Sequence, residues 1–128
     1  MTKIRHKILF FSALSIFANS MPLDREFRST WVITWEYISP SQNAEQTMAR
    51  IDEIMDNHAD ANMNAVLFQV RQSGTAYYSS SYEPWGYYAG YNDPGYDPLA
   101  KAIELAHEKG IEVHAWFNVF QTSSTHPG

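Results

Sequence analysis

The sequence predicts an α/β fold in which three parallel strands and two helices alternate in the order β-α-β-α-β, and three observations carry that expectation. The spacing of apolar residues switches from the alternation of a strand to the 3.6-residue period of a helix and back again. Capping residues mark the helix starts at Asn43 and Asp97. Two of the strands also carry polar groups on one parity near their C-terminal ends, where parallel α/β proteins place their sites.

Thr30-Trp31-Val32-Ile33-Thr34-Trp35 is rich in β-branched and aromatic residues and reads as the first strand. A polar loop through Pro40 and Ser41 leads to the first helix, where Asn43 and Gln46 have the spacing of a capping box. Its buried stripe is expected to be Met48, Ile51, Met55 and His58, with an end near Asp60 to Asn62. Ala65 to Val70 is a short run bounded by polar residues, which suits a strand buried on both faces. Residues 72–96 read as a long irregular loop that holds Tyr77, Tyr78, Tyr82, Trp85, Tyr87, Tyr88, Tyr91 and Tyr96. Such a concentration of rings is either a packed miniature core or a binding surface. The second helix starts at Asp97 with Pro98 at its first position and stops at Gly110, with Leu99, Ala102, Ile103 and Ala106 as its apolar stripe. Ile111 to Asn118 is the third strand.

Three parallel strands and two helices leave edges and faces that parallel sheets normally cover. Residues 21–128 are therefore expected to be the N-terminal fragment of a TIM (β/α)8 barrel, for which about 250 residues is typical. The rival is a small open sheet that folds alone. Residues 1–20 are expected to be a secretory signal peptide: Lys3, Arg5 and Lys7 precede a largely apolar run from Ile8 to Ala18, and Ala18-Asn19-Ser20 offers small residues for cleavage. Export to a periplasmic or extracellular location follows. Without those residues the chain has six Lys and Arg against 14 Asp and Glu, a formal charge of −8. That balance argues against nucleic acid and anionic membranes as partners. With no cysteine, the exported chain has to rely on its core rather than on disulfides.

The candidate site lies on the polar parities of the second and third strands. Gln69 and Arg71 share one face, and a guanidinium fork beside a carboxamide can grip hydroxyls or a carboxylate. The alternative for Arg71 is a structural ion pair, with Glu36 or Glu112 as its partner. His114, Trp116 and Asn118 form the second group, in which His114 suits a structural or substrate-positioning role better than proton transfer. A single histidine with no neighbour at ligand spacing points to no metal. The tyrosine-rich loop, with Glu83-Pro84-Trp85 in its middle, presents rings that are apolar on the face and polar at the tip, the complement of a sugar. Trp85 is either an anchor under the loop or a substrate contact. Glycoside hydrolysis needs two carboxyl groups across the scissile bond. Of Glu36, Glu83, Asp93, Asp97 and Glu112, only Glu36 is expected near a strand end, so no catalytic residue can be named.

Phe27-Arg28 before Trp31-Val32, Asn64-Ala65-Val66 leading to Gln69-Val70-Arg71, Tyr78-Ser79, Glu83-Pro84-Trp85, Tyr96-Asp97-Pro98-Leu99, Ala106-His107 with Gly110, and His114-Ala115-Trp116-Phe117-Asn118 together resemble the glycosyl hydrolase-like 10 family. The resemblance covers nearly all of residues 27–118. It implies an exported bacterial TIM-barrel glycosidase acting without cofactor on a polysaccharide, foremost the glycan strands of peptidoglycan or else a related bacterial envelope or environmental glycan. Two departures stand out: Asn118-Val119-Phe120-Gln121 replaces the family's Asn-Pro-Tyr-Arg run, and Gly74-Thr75-Ala76 replaces Gly-Asp-Ala. On this reading Gln69, Arg71, Trp85, His114, Trp116 and Asn118 line the sugar site of a fragment that is inactive alone. Two other readings are a small glycan-binding module that uses the tyrosine loop and an interaction protein that pairs through a free strand edge.

Overall fold

A computed structural model describes residues 26–121. The expected signal peptide lies outside the described residues. Strand β1 (Ser29–Val32), helix α1 (Thr34–Tyr37), helix α2 (Ala44–Asp60), strands β2 (Ala65–Gln72) and β3 (Thr75–Ala76), a 3-10 turn (Tyr87–Ala89), helix α3 (Pro98–Glu108) and strand β4 (Glu112–Phe117) follow in that order. The three parallel strands are β1, β2 and β4, with β2 central: Thr30 pairs with Val66 on one side, and Val113 pairs with Val66 on the other.

The first strand is shorter than its composition suggests. Instead of running to Trp35 it stops at Val32, and the chain turns into α1. The turn is held by Glu36, whose Oε2 accepts a hydrogen bond from the Ile33 amide at 3.1 Å, and by Thr34, which is drawn onto β2 through Gln69. Tertiary hydrogen bonds here override the β propensity of Ile33, Thr34 and Trp35.

Helix α2 begins with the expected reciprocal cap: the Gln46 amide donates to Asn43 Oδ1 at 2.9 Å, and the Asn43 amide donates to Gln46 Oε1 at 3.0 Å. Its buried face is Thr47, Ile51, Ile54, Met55 and His58, so Met48 is replaced in the stripe by its neighbours. In α3, Asp97 Oδ1 accepts from the amides of Leu99 and Ala100, and Gly110 takes the left-handed conformation that ends the helix, with φ of 71°. Ile103 is partly exposed and Leu105 takes its place in the core.

The expected irregular loop after Val70 starts instead as a hairpin. β2 continues to Gln72, Ser73 and Gly74 turn with φ of 53° and 76°, and β3 returns antiparallel. Two consecutive left-handed residues make the tight turn whose twist matches the strands, which a Ser-Gly pair permits. The sheet is therefore mixed, not wholly parallel. The register with β4 shifts between Gln69 and Arg71, a bulge that leaves Val70 as the extra residue.

One face of the sheet is covered by the helices. Val32, Val66, Phe68 and Val70 pack with Ile51, Ile54 and Met55 of α2 and with Ala102, Leu105 and Ala106 of α3. Burial of this kind is worth about 1.5–3 kcal/mol per large apolar side chain. Tyr37 stacks on Phe68 with ring centroids 4.3 Å apart, which closes the core below α1. The rings of the tyrosine-rich loop divide between core and surface. Tyr77 is buried and Tyr88 packs partly against the core, whereas Tyr82, Tyr87 and Tyr91 are exposed. Gly86 is held close under the Tyr77 ring, where a Cβ would lie 2.3 Å from the phenol oxygen.

Candidate functional site

The opposite face of the sheet is open. Thr30 turns toward α2, with its hydroxyl 2.7 Å from His58 Nε2, and the parallel register then sets Trp31 level with Leu67 and His114 on the other side. Gln69 is level with Trp116 on that same side. Trp31 is 61% exposed and meets the Trp116 ring edge-on at 4.8 Å. Phe27 meets His114 in the same way at 5.2 Å. His114 Nε2 lies 3.3 Å from Glu112 Oε2 on an exposed part of the strand, not in an enclosed site. Sheet pairing thus assembles a floor of two indoles, an imidazole and a carboxamide from three separate strands.

Gln69 is fully enclosed in this floor, with no exposed surface. Its Oε1 accepts from the Thr34 amide at 3.1 Å, and the Thr34 hydroxyl lies 3.2 Å from the same oxygen and 2.9 Å from Gln72 Oε1. A backbone N–H can only donate, so it fixes which end of the carboxamide is oxygen. The other end, Nε2, is buried with no hydrogen-bond partner. An unmet buried donor costs about 1–3 kcal/mol, and a group bearing an acceptor would relieve it.

Arg71 does form an ion pair, but neither with Glu36 nor with Glu112. Its Nε donates to both carboxylate oxygens of Glu83, at 2.7 and 2.9 Å, and its Nη2 lies 2.7 Å from Glu83 Oε1. Nη1 donates to the carbonyl of Asn118. The hydrogen bonds to Glu83 hold the guanidinium proton even more firmly than usual. Arg71 is thus a latch joining the end of β2, the tyrosine-rich loop and the chain after β4. Asn118 belongs to that latch through its backbone, while its side chain donates to Gln121 Oε1 at 2.8 Å. Trp85 stands elsewhere in the chain path: its backbone forms an isolated bridge with Ala76, beside the hairpin.

Of the six residues singled out by sequence, then, Gln69, His114 and Trp116 share the open floor, Arg71 and Asn118 sit at its C-terminal rim, and Trp85 is separate. Trp31 and Thr34 join the floor without having been singled out. Alternation of Thr30 and Trp31 is a signal that could have found the first, but Thr34 was hidden by the change from strand to helix. Glu36, the carboxylate expected near a strand end, is used to cap α1. Asp97 caps α3, Asp93 Oδ1 accepts from the Gly95 amide at 2.8 Å, and Glu83 is held by Arg71. Among the described residues no group of three or more His, Asp and Glu side chains is placed to hold a metal ion.

Tyr37 supports the floor from behind, its buried hydroxyl donating to the Gln69 carbonyl at 2.7 Å. Burial, reinforced by Tyr77, Tyr96 and Asp97 nearby, raises its pKa well above the ordinary tyrosine value. Above about pH 10 the unfolded chain releases this proton and the folded chain keeps it, so the stability contributed in neutral solution declines as pH climbs. Tyr37→Phe is expected to cost about 1–3 kcal/mol at pH 7 and to flatten the alkaline decline, read from urea unfolding between pH 7 and 11.

Residues 26–127 match the family model described as glycosyl hydrolase-like 10. The chain is 38% identical over 111 residues to "Glycosyl hydrolase YngK" of Bacillus subtilis (strain 168), an alignment covering 80% of this chain and 22% of that protein. It is 35% identical over a 128-residue alignment to "Glycosyl hydrolase DigH" of Escherichia coli (strain K12), covering 87% of this chain and 29% of the relative. The chain therefore spans less than a third of the length of these relatives.

Proposed function

The chain belongs to the glycosyl hydrolase-like 10 family, and from that premise we propose that it is the opening part of a glycoside hydrolase barrel whose sugar site is built on the open face of the sheet. The substrate is a polysaccharide, foremost the glycan strands of peptidoglycan or a related envelope glycan. The observation that carries this reading is the floor itself: Trp31 against Trp116, with the enclosed carboxamide of Gln69 beside them. Indole faces suit the C–H patches of a pyranose, while the Gln69 carboxamide, which has no exposed surface, fixes the floor from within.

Barrel closure is supported by the strand order. β1, β2 and β4 lie side by side in chain order, as consecutive barrel strands do, and β1 and β4 each pair only with β2 among the described strands. The exposed tryptophan floor is what the interior of such a barrel would enclose. On this reading the catalytic carboxylates come from strands that the relatives carry beyond the matched region, and the protein is exported behind its N-terminal leader.

The test is digestion of glycan strands freed of stem peptides. The 128-residue chain is expected to release no product, and a protein extended beyond Gly128 to the length of its relatives is expected to cleave them. Trp116→Ala in the extended protein should lower kcat/KM by roughly tenfold, the loss of one good ring contact. Cleavage by the 128-residue chain would refute the incomplete-site reading; saturable binding with no cleavage by either would favour a non-catalytic glycan-binding module.

A further inference from the structure

A second concave site lies away from the sheet face, between the segment that leads into α2 and the tyrosine-rich loop. Its volume is about 360 Å³, and it is lined on one side by Ile38, Pro40, Gln42 and Asn43 and on the other by Tyr88 and Tyr96. A space of that size accommodates one or two sugar rings. No charged side chain lines it, so electrostatics favour a neutral occupant. Gln42 Oε1 is buried without a hydrogen-bond partner, so turning the carboxamide toward the cavity breaks no bond of that oxygen.

The surroundings connect this cavity to the proposed sugar site. Tyr88 lies 6.0 Å from the Trp35 ring on α1 and 5.2 Å from Tyr87, so rings run from the end of β1 to the cavity wall. Trp35 and Tyr87 are both more than half exposed. An exposed series of aromatic surfaces ending in an uncharged, partly polar hollow matches a chain of rings that carry hydroxyls and apolar faces.

We propose that this cavity is a secondary subsite for a neutral saccharide, holding a part of the glycan distant from the scissile bond. The inference rests on the glycosidase reading for its ligand class. Aromatic walls at Tyr88 and Tyr96 take the C–H faces of a pyranose, and the Gln42 carboxamide takes a hydroxyl proton. Such a subsite increases the grip on long chains without touching the reacting bond.

The experiment is an NMR titration of the 128-residue chain with N,N′-diacetylchitobiose, a neutral disaccharide, to about 10 mM, enough to fill a site with Kd near 1 mM. Saturable shifts are expected at the Gln42 side-chain amide and at the amides of Tyr88 and Tyr96. Gln42→Leu, which removes no observed side-chain hydrogen bond, and Ala44→Phe, which fills the cavity, should each weaken binding at the cavity about tenfold or more. Shifts confined to Trp31, His114 and Trp116 would overturn the subsite while supporting the sheet-face site. No shift at either place, or equal binding by Gln42→Leu and Ala44→Phe with wild-type circular dichroism, would also overturn it. Failure of the extended protein to cleave glycan strands, with the cavity titration intact, would instead count against the glycosidase reading alone.

Discussion

Phe68→Ala is expected to lower the unfolding free energy by about 3–5 kcal/mol, the usual cost of emptying a phenylalanine site in a packed core. Phe68 has no exposed surface, lies on the central strand and supports Tyr37 by stacking, so its loss opens the core at the contact that holds α1 in place. Folded domains are stable by about 5–15 kcal/mol, and such a loss removes a large share of that. Urea unfolding followed by circular dichroism would measure it. Trp31→Ala, on the open face of a neighbouring strand, should shift the midpoint far less, because a ring already 61% exposed gives up little buried area. Equal losses from the two changes would mean that the two faces of the sheet are not distinguished as described.

Arg71→Met is the second large effect, and its readout is activity. In the extended protein it should lower glycan cleavage by about 10²-fold, the scale expected when the rim of a site shifts by about 1 Å. The guanidinium holds Glu83 in the tyrosine-rich loop and the Asn118 carbonyl after β4, so its removal frees both from the end of β2. It also leaves a half-buried carboxylate without its counter-ion. Glu83→Gln keeps one hydrogen-bond acceptor for the guanidinium and should lose less. Full activity of Arg71→Met would show that the latch does not position the site.

The positions of α2 and α3 were legible because their signals are local. Asn43 with Gln46, and Asp97 with Pro98 and Gly110, satisfy or terminate backbone groups within a few residues of themselves, and each acts in the fold as its spacing implies. The polar parity of β2 and β4 was legible for the same reason, since alternate side chains must face opposite ways. Ser73-Gly74 was an equally local hairpin signal that the aromatic richness of the following stretch obscured. The end of β1 was not legible. Thr34 leaves the strand because Gln69, 35 residues away, accepts from its amide, and nothing within a short window reports that bond.

The amino-acid sequence by itself determined the alternation of the three parallel strands with α2 and α3, the boundaries of those two helices and the parity that brings Gln69, His114 and Trp116 to one face, because these follow from backbone geometry and nearest neighbours. Only the tertiary structure decided that Arg71 is a latch to Glu83, that Trp85 stands with the hairpin, that Trp31 completes the floor and that Glu36 is a cap. Those outcomes depend on which distant groups lie within hydrogen-bond or ring contact once the sheet has paired, and a contact between residues far apart in the chain leaves no periodic trace in it.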